Sequence, residues 1–285
     1  MPEEVFAAEE LAYKQQENIV FSEVHGFGLL MDVFTPTGTS NGLAIVDVAC
    51  GAFHSDRGKI NDHKKAGMFD TFCGKGYTVF AVRPGSISKF SAPEMIANLN
   101  QGVSWVIEHA EKYQIDADRM GLMGASAGGY LACLDAVTAE AGSPAAKFKA
   151  VGVFFPPTDL LNYGPVQLKV RTDPFLGKTV RRLLFPEGFG DLDDKALDER
   201  VAKFSPARRV TSSAPPFLFI HGDADPLVPL QQSEVMVEAL KAANVSAELI
   251  VKPGGAHPWP TIAEEVAIMA DWFDKTLDAE IGGGQ

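Results

Sequence analysis

The sequence contains few cysteines, no long apolar run and no excess of positive charge, and each of these shortages excludes a class of protein. The three cysteines, Cys50, Cys73 and Cys133, are odd in number and lie in or beside apolar segments, so we do not expect a disulfide framework. No apolar stretch approaches the roughly 20 residues that a transmembrane helix needs. Residues 1–16 lack the basic start and apolar run of a signal peptide, and we therefore expect a cytoplasmic protein.

The charge balance bears on which partners are expected. Against 37 Asp and Glu there are only 25 Lys and Arg, so the formal net charge is −12. A field of that sign repels nucleic acids and anionic membrane surfaces, and an uncharged small molecule fits it better. No pattern for a cofactor is present. The spacing of His54, Asp56, Asp62 and His63 matches no metal-ligand motif, and we predict a solvated loop there instead of a metal site.

Apolar runs that indicate strands alternate with stretches of helical spacing. The runs lie at residues 19–24, 29–34, 43–49, 77–82, 120–123, 150–155, 217–220 and 247–251, with helical stretches at 62–75, 93–113, 230–243 and 261–277 and after residue 126. The first two runs are close enough for an antiparallel hairpin, whereas the rest predict parallel strands. We therefore predict an α/β fold, with a mostly parallel central sheet of about eight strands, helices on both faces, and a single domain over residues 1–285.

The sequence around Ser126 has the pattern of a nucleophile elbow. Residues 124–128 read Gly-Ala-Ser-Ala-Gly, directly after an apolar run and before a stretch of small residues with helical character. Glycines two positions on either side of the serine remove Cβ atoms that would clash in a tight strand-to-helix turn. Such a turn holds the hydroxyl at the end of the sheet, where the next helix N-terminus favours negative charge. We therefore predict that Ser126 is a nucleophile.

Candidates for an acid and a base follow later strands. His257 lies in a glycine-rich loop after residues 247–251, and Asp223 and Asp225 both follow residues 217–220. Active groups of an open α/β sheet gather at the carboxyl ends of its strands. A serine hydroxyl needs an adjacent base such as imidazole, and a carboxylate fixes the tautomer of that imidazole. Either aspartate could reach His257, since the two stand close together in an extended chain.

Acyl transfer by such a serine also needs N–H donors for the oxyanion. The first donor is expected to be the N–H of Ala127, directly after the nucleophile, and the second should come from the loop after residues 43–49. Gly51 and Ala52 are the candidates in that loop. Cys50 has no evident base beside it, so it is interpreted as a small buried side chain and not as a nucleophile.

Residues 159–205 show no alternating strand pattern and are rich in Gly, Pro, Arg and Phe. We predict that they form an inserted lid that helps to select the substrate. Three side chains are candidate substrate contacts: Phe175 of this lid, Phe53 in the loop after residues 43–49, and Arg83 at the end of the run at residues 77–82. For Arg83, a structural ion pair is an equal alternative.

Over nearly its whole length, the sequence resembles the α/β-hydrolase superfamily, specifically the lipase-like carboxylesterases that include acetyl-xylan and feruloyl esterase-like enzymes. The resemblance rests on LLMDVFTP, GASAGG, FSPARRV, PPFLFIHGDADPLVP and GGAHPW. In the family pattern H-G-x-x-D-x-x-V-P the aspartate is catalytic, which implies Asp225 here. Related esterases usually carry His-Gly-Gly after the third strand, where this chain has Cys50-Gly51-Ala52.

The resemblance implies an α/β-hydrolase fold with an inserted lid, and a serine carboxylesterase that needs no cofactor. Its expected partner is a small-molecule ester with a short-chain acyl or an aromatic, feruloyl-type group, hydrolysed through an acyl-enzyme. Two other classes stay open: a serine exopeptidase of the prolyl-oligopeptidase type, and a non-catalytic binding protein on the hydrolase fold. Either a monomer or a homodimer is compatible with the sequence.

Overall fold

A central sheet organises the structure, a computed structural model that describes residues 11–278. Its strands are β1 (Tyr13–Val24), β2 (Phe27–Pro36), β3 (Ala44–Val48), β4 (Thr78–Arg83), β5 (Met120–Ala125), β6 (Phe148–Phe154), β9 (Phe217–Gly222) and β10 (Ala247–Lys252), whereas β7 (Asn162–Tyr163) and β8 (Val166–Gln167) pair separately. The eight-stranded sheet has the order β1-β2-β4-β3-β5-β6-β9-β10. Within this sheet, only β1 with β2 and β2 with β4 pair antiparallel, which confirms the prediction of a mostly parallel sheet of about eight strands.

Nine α-helices are found within the described residues. They are α1 (Arg57–Lys65), α2 (Met68–Gly74), α3 (Ala92–Glu108), α4 (Ala110–Tyr113), α5 (Ala127–Val137), α6 (Leu176–Leu184), α7 (Asp194–Lys203), α8 (Gln231–Ala242) and α9 (Ile262–Asp278). None of these nine is both long and apolar enough to cross a membrane.

Helices cover both faces of the sheet because the strands send apolar side chains alternately into two cores. In β3, Ala44, Val46 and Val48 belong to one core, and Ile45 belongs to the other. Residues of α3, α5 and α8 complete the first core, and residues of α1, α2 and α9 complete the second. Strands buried on both faces have no polar side, which is why they appear in the sequence as continuous apolar runs.

The boundaries of some elements differ from the prediction for identifiable reasons. β1 begins at Tyr13 and not near residue 19, because this edge strand is largely exposed and its polar residues conceal it. The helix predicted over residues 62–75 is divided into α1 and α2 at Gly67, whose φ of 71° is the left-handed conformation that glycine adopts freely. The helix predicted over residues 93–113 is divided at His109.

Residues 155–216, called the β6–β9 segment below, join two neighbouring parallel strands. They contain α6, α7 and the small β7–β8 hairpin, where no strand was predicted. The segment is closed on itself and also tied to the body: Arg208 near its end donates to both carboxylate oxygens of Asp159 near its start, at 2.9 and 2.8 Å. Gln232 of α8 accepts from the N–H groups of Thr158 and Asp159, at 2.7 and 2.8 Å. The segment therefore stands on a hydrogen-bonded base beside the carboxyl end of the sheet.

Candidate active site

Ser126 lies in a strained turn between β5 and α5. Its φ of 53° and ψ of −119° are unusual for a residue with a side chain. The flanking glycines make the turn sterically feasible: a Cβ on Gly128 would lie 2.2 Å from the Val48 carbonyl oxygen, and one on Gly124 would lie 2.6 Å from the Gly128 backbone. Strain of this kind persists only where the surrounding structure holds it. The local geometry is that of the predicted elbow.

The N-terminus of α5 is tied to the loop after β3. The N–H of Gly128 donates to the Cys50 carbonyl at 2.9 Å, and the N–H of Ser126 donates to Phe154 at 2.9 Å. Ala127 is the first residue of α5, so its N–H has no carbonyl one turn earlier to bind. Donors at a helix N-terminus favour negative charge. The Ala127 N–H is therefore placed beside the serine hydroxyl with its donor capacity unused by the helix.

His257 joins Ser126 to Asp225. Its Nε2 is 2.9 Å from Ser126 Oγ, and its Nδ1 is 2.6 Å from Asp225 Oδ2. The Phe155 ring packs against the imidazole, with centroids 4.2 Å apart. Two residues further along, the indole of Trp259 donates to Glu265 of α9 at 2.7 Å and anchors the loop. The structure thus brings together Ser126, His257 and Asp225, the last being the aspartate that the family resemblance implied.

The carboxylate of Asp225 is held ionised by its neighbours. Its side chain has no exposed area, and that burial by itself raises the pKa. Hydrogen bonds from His221 and His257 and from the N–H groups of Val228 and Leu227 outweigh burial, so the pKa of Asp225 lies well below its usual range. A charged carboxylate at this position fixes the His257 ring with its Nδ1–H toward Asp225 and its Nε2 toward Ser126.

Asp223, the alternative acid, has a different partner. Its Oδ1 accepts from the N–H of Gly254 at 2.6 Å, which ties the end of β9 to the loop that carries His257. The two aspartates of this motif therefore have different roles. Asp225 contacts the imidazole, and Asp223 holds the backbone of its loop.

The loop after β3 forms a tight turn that distinguishes the two candidates for the second oxyanion donor. Ala52 and Phe53 have φ values of 48° and 59°, consecutive positive values that are typical of a type I′ turn. The N–H of Gly51 donates to the His54 carbonyl at 2.9 Å, so it is already used. Within residues 11–278, the N–H of Ala52 has no acceptor. Of the two, the geometry favours Ala52 over Gly51.

Ser126 and His257 open into a cavity of about 520 Å³, called the Ser126 cavity below. Most of its wall is apolar, and much of that wall comes from the β6–β9 segment and the Asp225 loop: Phe155, Leu160, Leu176, Val180, Leu183, Leu227 and Val228. A smaller part comes from α1, where Lys59, Asp62 and His63 line the cavity. An enclosed apolar space with a few convergent polar groups is the usual form of a small-molecule site.

Of the three predicted substrate contacts, one lines the Ser126 cavity and two do not. Phe53 lines the Ser126 cavity. Arg83 does not line it, and its guanidinium donates instead to Asn18 at 2.8 Å and to Asp32 at 3.3 Å. Phe175 is 84% exposed and also lies outside the lining, although its neighbour Leu176 belongs to it. The structure therefore removes Arg83 and Phe175 from the candidate contacts, because Arg83 is held in an ion pair and Phe175 is exposed to solvent outside the cavity lining.

The other polar residues singled out in the sequence, among them Cys50, Asp56 and His63, have structural roles or lie in a different place from the one predicted. Cys50 is buried, and burial raises the pKa of its thiol to about 12, so it stays protonated. Asp56 caps α1 by accepting from Gly58 at 2.8 Å. His63 was predicted to lie in a solvated loop, which is wrong: it lies in α1 and is buried. Within residues 11–278, no group of three His, Cys, Asp or Glu side chains could hold a metal.

Sequence reasoning did not place two histidines near the site: His221 was given no role, and His63 was assigned to a solvated loop. His221 is fully buried, and its Nδ1 is hydrogen-bonded to Ser233 Oγ at 2.7 Å. Its Nε2 donates to the Val228 carbonyl at 2.9 Å and stands 3.5 Å from Asp225 Oδ2. His63 binds Asp47 of β3 at 2.6 Å. Asp47 interrupts the apolar run LAIVDVA. A lone charge in a buried strand needs a partner, and that was the available signal.

Sequence comparison finds relatives among esterases. Esterase LipC of Mycobacterium tuberculosis is 29% identical over 178 residues, which cover 58% of this chain and 41% of LipC. The isoprenylcysteine alpha-carbonyl methylesterase ICME of Arabidopsis thaliana is 27% identical over 179 residues, which cover 58% of this chain and 39% of ICME. The matched part therefore spans less than half of the length of either relative.

Structure comparison covers almost the entire chain. A truncated form of carbohydrate esterase from gut microbiota superposes with a TM-score of 0.76 at 21% identity, covering 95% of this chain and 99% of that one. Carboxyl esterase 2 of the mycorrhizal fungus Tuber melanosporum gives a TM-score of 0.71 at 19% identity, with coverages of 94% and 89%. At these identities the likeness establishes the α/β-hydrolase fold. The family model BD-FAE matches residues 31–240, which is most of the chain, and the chain therefore belongs to the BD-FAE family.

Proposed function

We propose that this protein is a carboxylic ester hydrolase in which Ser126 is the nucleophile, His257 the general base and Asp225 the acid that orients it. The observation that carries the proposal is the continuous hydrogen-bond chain from Ser126 Oγ through His257 to Asp225, opening into a largely apolar cavity. The sequence relatives named as esterases support the same reaction class.

In the first half-reaction, His257 Nε2 takes the proton of the Ser126 hydroxyl while Oγ attacks the ester carbonyl carbon. The negative charge that develops on the carbonyl oxygen is bound by the N–H groups of Ala127 and Ala52. Asp225 stabilises the imidazolium that forms. The intermediate then collapses, the imidazolium gives its proton to the leaving alcohol, and an acyl group remains on Ser126.

The second half-reaction repeats the proton transfers with water in place of the serine. His257 removes a proton from a water molecule, which attacks the acyl carbon, and the proton then returns to Ser126 Oγ as the acid is released. One ester and one water give one acid and one alcohol. The groups of this chain supply all of these steps.

The substrate class follows from the cavity. Its volume of about 520 Å³ and its apolar wall suit a short-chain acyl group or one aromatic ring beside the ester. Leu160, Leu176 and Leu183 of the β6–β9 segment contribute to that wall. We therefore assign this segment the role of a lid and specificity element.

The test is hydrolysis of p-nitrophenyl esters from acetate to decanoate, with methyl ferulate and an acetylated sugar, by the wild type and Ser126→Ala. We expect turnover that depends on Ser126 and falls off once the acyl chain outgrows the cavity. Equal turnover by the folded Ser126→Ala variant, or none by the wild type on any of these esters, would contradict the proposal.

A further inference from the structure

A second histidine–aspartate pair lies in the wall of the Ser126 cavity. Nδ1 of His63, in α1, is 2.6 Å from Oδ2 of Asp47, in β3. The Asp47 side chain has no exposed area, and that of His63 is 10% exposed. Because His63 is one of the residues that line the cavity, the exposed part of its ring faces that space.

This pair is costly to keep in the core. Asp47 is flanked in β3 by apolar side chains, and within the described residues its Oδ1 has no hydrogen-bond partner. Burying two charges costs desolvation energy that their attraction often does not recover, and apolar side chains of similar size are often at least as stabilising. Because apolar side chains could serve the core at least as well, the pair points to a use in the cavity.

The arrangement leaves one ring nitrogen for a ligand. Nδ1 of His63 is occupied by Asp47, and among residues 11–278 no protein atom is bonded to its Nε2. A nine-tenths buried imidazole is thus held in one orientation by a carboxylate behind it, with its second nitrogen unpartnered. A donor fixed in this way loses little conformational freedom when a ligand binds.

The charges around the ring favour its protonated form. Burial lowers the pKa of His63, but the charge of Asp47 and the hydrogen bond to it outweigh burial, so the pKa is raised. The other charged groups that face the ring are on α1: Asp62 raises the pKa and Lys59 lowers it. Phe69 of α2 presents only an uncharged ring, 6.4 Å away between centroids.

Lys59 adds a second cation to the same wall. It stands one helical turn before His63, so the two side chains share a face of α1. Its aliphatic chain crosses Gly51, where a Cβ would lie 2.7 Å from Lys59 Cδ, and its Nζ is 3.1 Å from Asp62 Oδ2. Asp62 is 56% exposed, so a ligand can share Lys59 with it. Asp47, by contrast, stays behind the imidazole.

We propose that His63, held by Asp47, forms with Lys59 a subsite for a carboxylate carried by the ester that Ser126 attacks. This inference rests on the proposed function of the Ser126 cavity. The His63 Nε2–H and the Lys59 ammonium donate charge-assisted hydrogen bonds to the carboxylate, while the ester carbonyl lies at Ser126. The net charge of −12 led us to expect an uncharged partner. Within a few ångströms of a bound ligand, however, the charges of the nearest side chains decide whether the cavity prefers an anion.

The experiment measures binding to Ser126→Ala, which hydrolyses no ester through Ser126 during titration. One pair of ligands carries the charge on the acyl side, monoethyl glutarate and its terminal amide. The other carries it on the alcohol side, 4-carboxyphenyl acetate and 4-carbamoylphenyl acetate. We expect the carboxylate member of one pair to bind about tenfold tighter than its amide, and the pair that shows this identifies the side that faces α1.

Adding His63→Gln to Ser126→Ala should reduce that preference to about twofold or less, because Gln offers a neutral donor. The matched control is His25→Gln, which removes an exposed imidazole outside the cavity lining and should leave the preference intact. In the parent Ser126→Ala protein, the preference should also decline as the pH rises through the raised pKa of His63. That titration keeps the test informative if His63→Gln does not fold.

Equal affinities for carboxylate and amide in both pairs would overturn the subsite, as would a preference that survives His63→Gln in a folded protein. Neither result bears on Ser126-dependent hydrolysis of neutral esters. Conversely, a wild type that hydrolyses no ester would contradict the proposed function, whereas the binding preference would still report on the subsite.

Discussion

Two histidine–aspartate pairs face the Ser126 cavity, and they have the same short contact in different surroundings. In both, Nδ1 of the histidine is 2.6 Å from an aspartate whose side chain has no exposed area. His257 turns its other nitrogen to Ser126 Oγ, whereas His63 turns its other nitrogen to the open cavity. Asp225 accepts two further backbone N–H groups, whereas Asp47 Oδ1 has no partner within residues 11–278.

The comparison shows how surroundings give one pair of side chains two roles. The additional hydrogen bonds on Asp225 share its negative charge, and Nε2 of His257 contacts the Ser126 hydroxyl that it serves in our account. Asp47 has only His63 to neutralise it, which favours a proton that stays on the ring. In our account, His257 is therefore a base and His63 a fixed cation. The predictions below test that division, from the largest expected effect to the smallest.

The largest effect on activity should appear when Asp225 is made neutral. Asp225→Asn should lower kcat for a neutral p-nitrophenyl ester by about 10⁴-fold, because the asparagine amide favours the wrong tautomer of His257. The matched control is Asp223→Asn, two residues away, which can still accept from Gly254 and should stay within about threefold. A smaller loss in Asp225→Asn than in Asp223→Asn would reverse the assignment of the acid.

The elbow should tolerate no side chain at position 128. Gly128→Ala places a Cβ 2.2 Å from the Val48 carbonyl oxygen, a backbone atom that cannot rotate away. We expect a loss of about 3 kcal/mol in the free energy of unfolding, together with a large loss of ester hydrolysis. Gly38→Ala is the control, since a Cβ there meets no atom within 4 Å. Denaturant unfolding measures both, and equal stabilities would contradict the packing argument.

His221 should act on the reaction only through Asp225. His221→Gln removes its contact to Asp225 Oδ2 and its bond to the Val228 carbonyl, whose own N–H binds Asp225, and should lower kcat about tenfold with KM nearly unchanged. A variant that merely loosened the fold would lose activity in proportion to its unfolded fraction, which circular dichroism reports. An unchanged kcat in the folded variant would mean that His221 does not position the acid.

The two pairs should stabilise the fold in opposite pH ranges. The pKa of Asp225 is lowered in the folded state, so its contribution is present above its ordinary value near ~4 and is lost as the pH falls further. The pKa of His63 is raised, so its contribution is present below ~6.5 and is lost as the pH rises through the raised value.

Melting temperatures from pH 3 to pH 9 check this directly. The gap between wild type and Asp225→Asn should narrow toward acid pH, and the gap between wild type and His63→Gln should narrow toward alkaline pH. Gaps that change in the same direction for both variants would remove the distinction between the pairs.

The sequence was sufficient for those parts of the site that depend on local signals. Ser126 is marked by glycines within two residues, and His257 follows an apolar run at a predictable edge of the sheet. A second run places Asp223 and Asp225 at the same edge, and the family resemblance indicated Asp225 of the two. The sheet itself was predictable because its buried strands are continuous apolar runs. Each of these signals lies within a few residues of the feature that it predicts.

Features that depend on distant partners or on backbone hydrogen bonds could not be predicted in this way. The guanidinium of Arg83 donates to Asp32, which is distant in the chain, and does not reach the cavity. The choice of Ala52 over Gly51 depends on which N–H the turn leaves without an acceptor. Phe175 and Leu176 are neighbours, yet only Leu176 lines the cavity, because Leu176 begins α6 and the way this helix packs on the body determines which side chains reach the cavity.

The central claim, that Ser126 is the nucleophile, is tested most directly by covalent labelling. The wild type and Ser126→Ala would be treated with a fluorophosphonate, and the adduct located by peptide mass spectrometry. Our account predicts one label per wild-type chain on the peptide that contains Ser126, and none on the folded variant. A label on another residue, or undiminished labelling of Ser126→Ala, would contradict it.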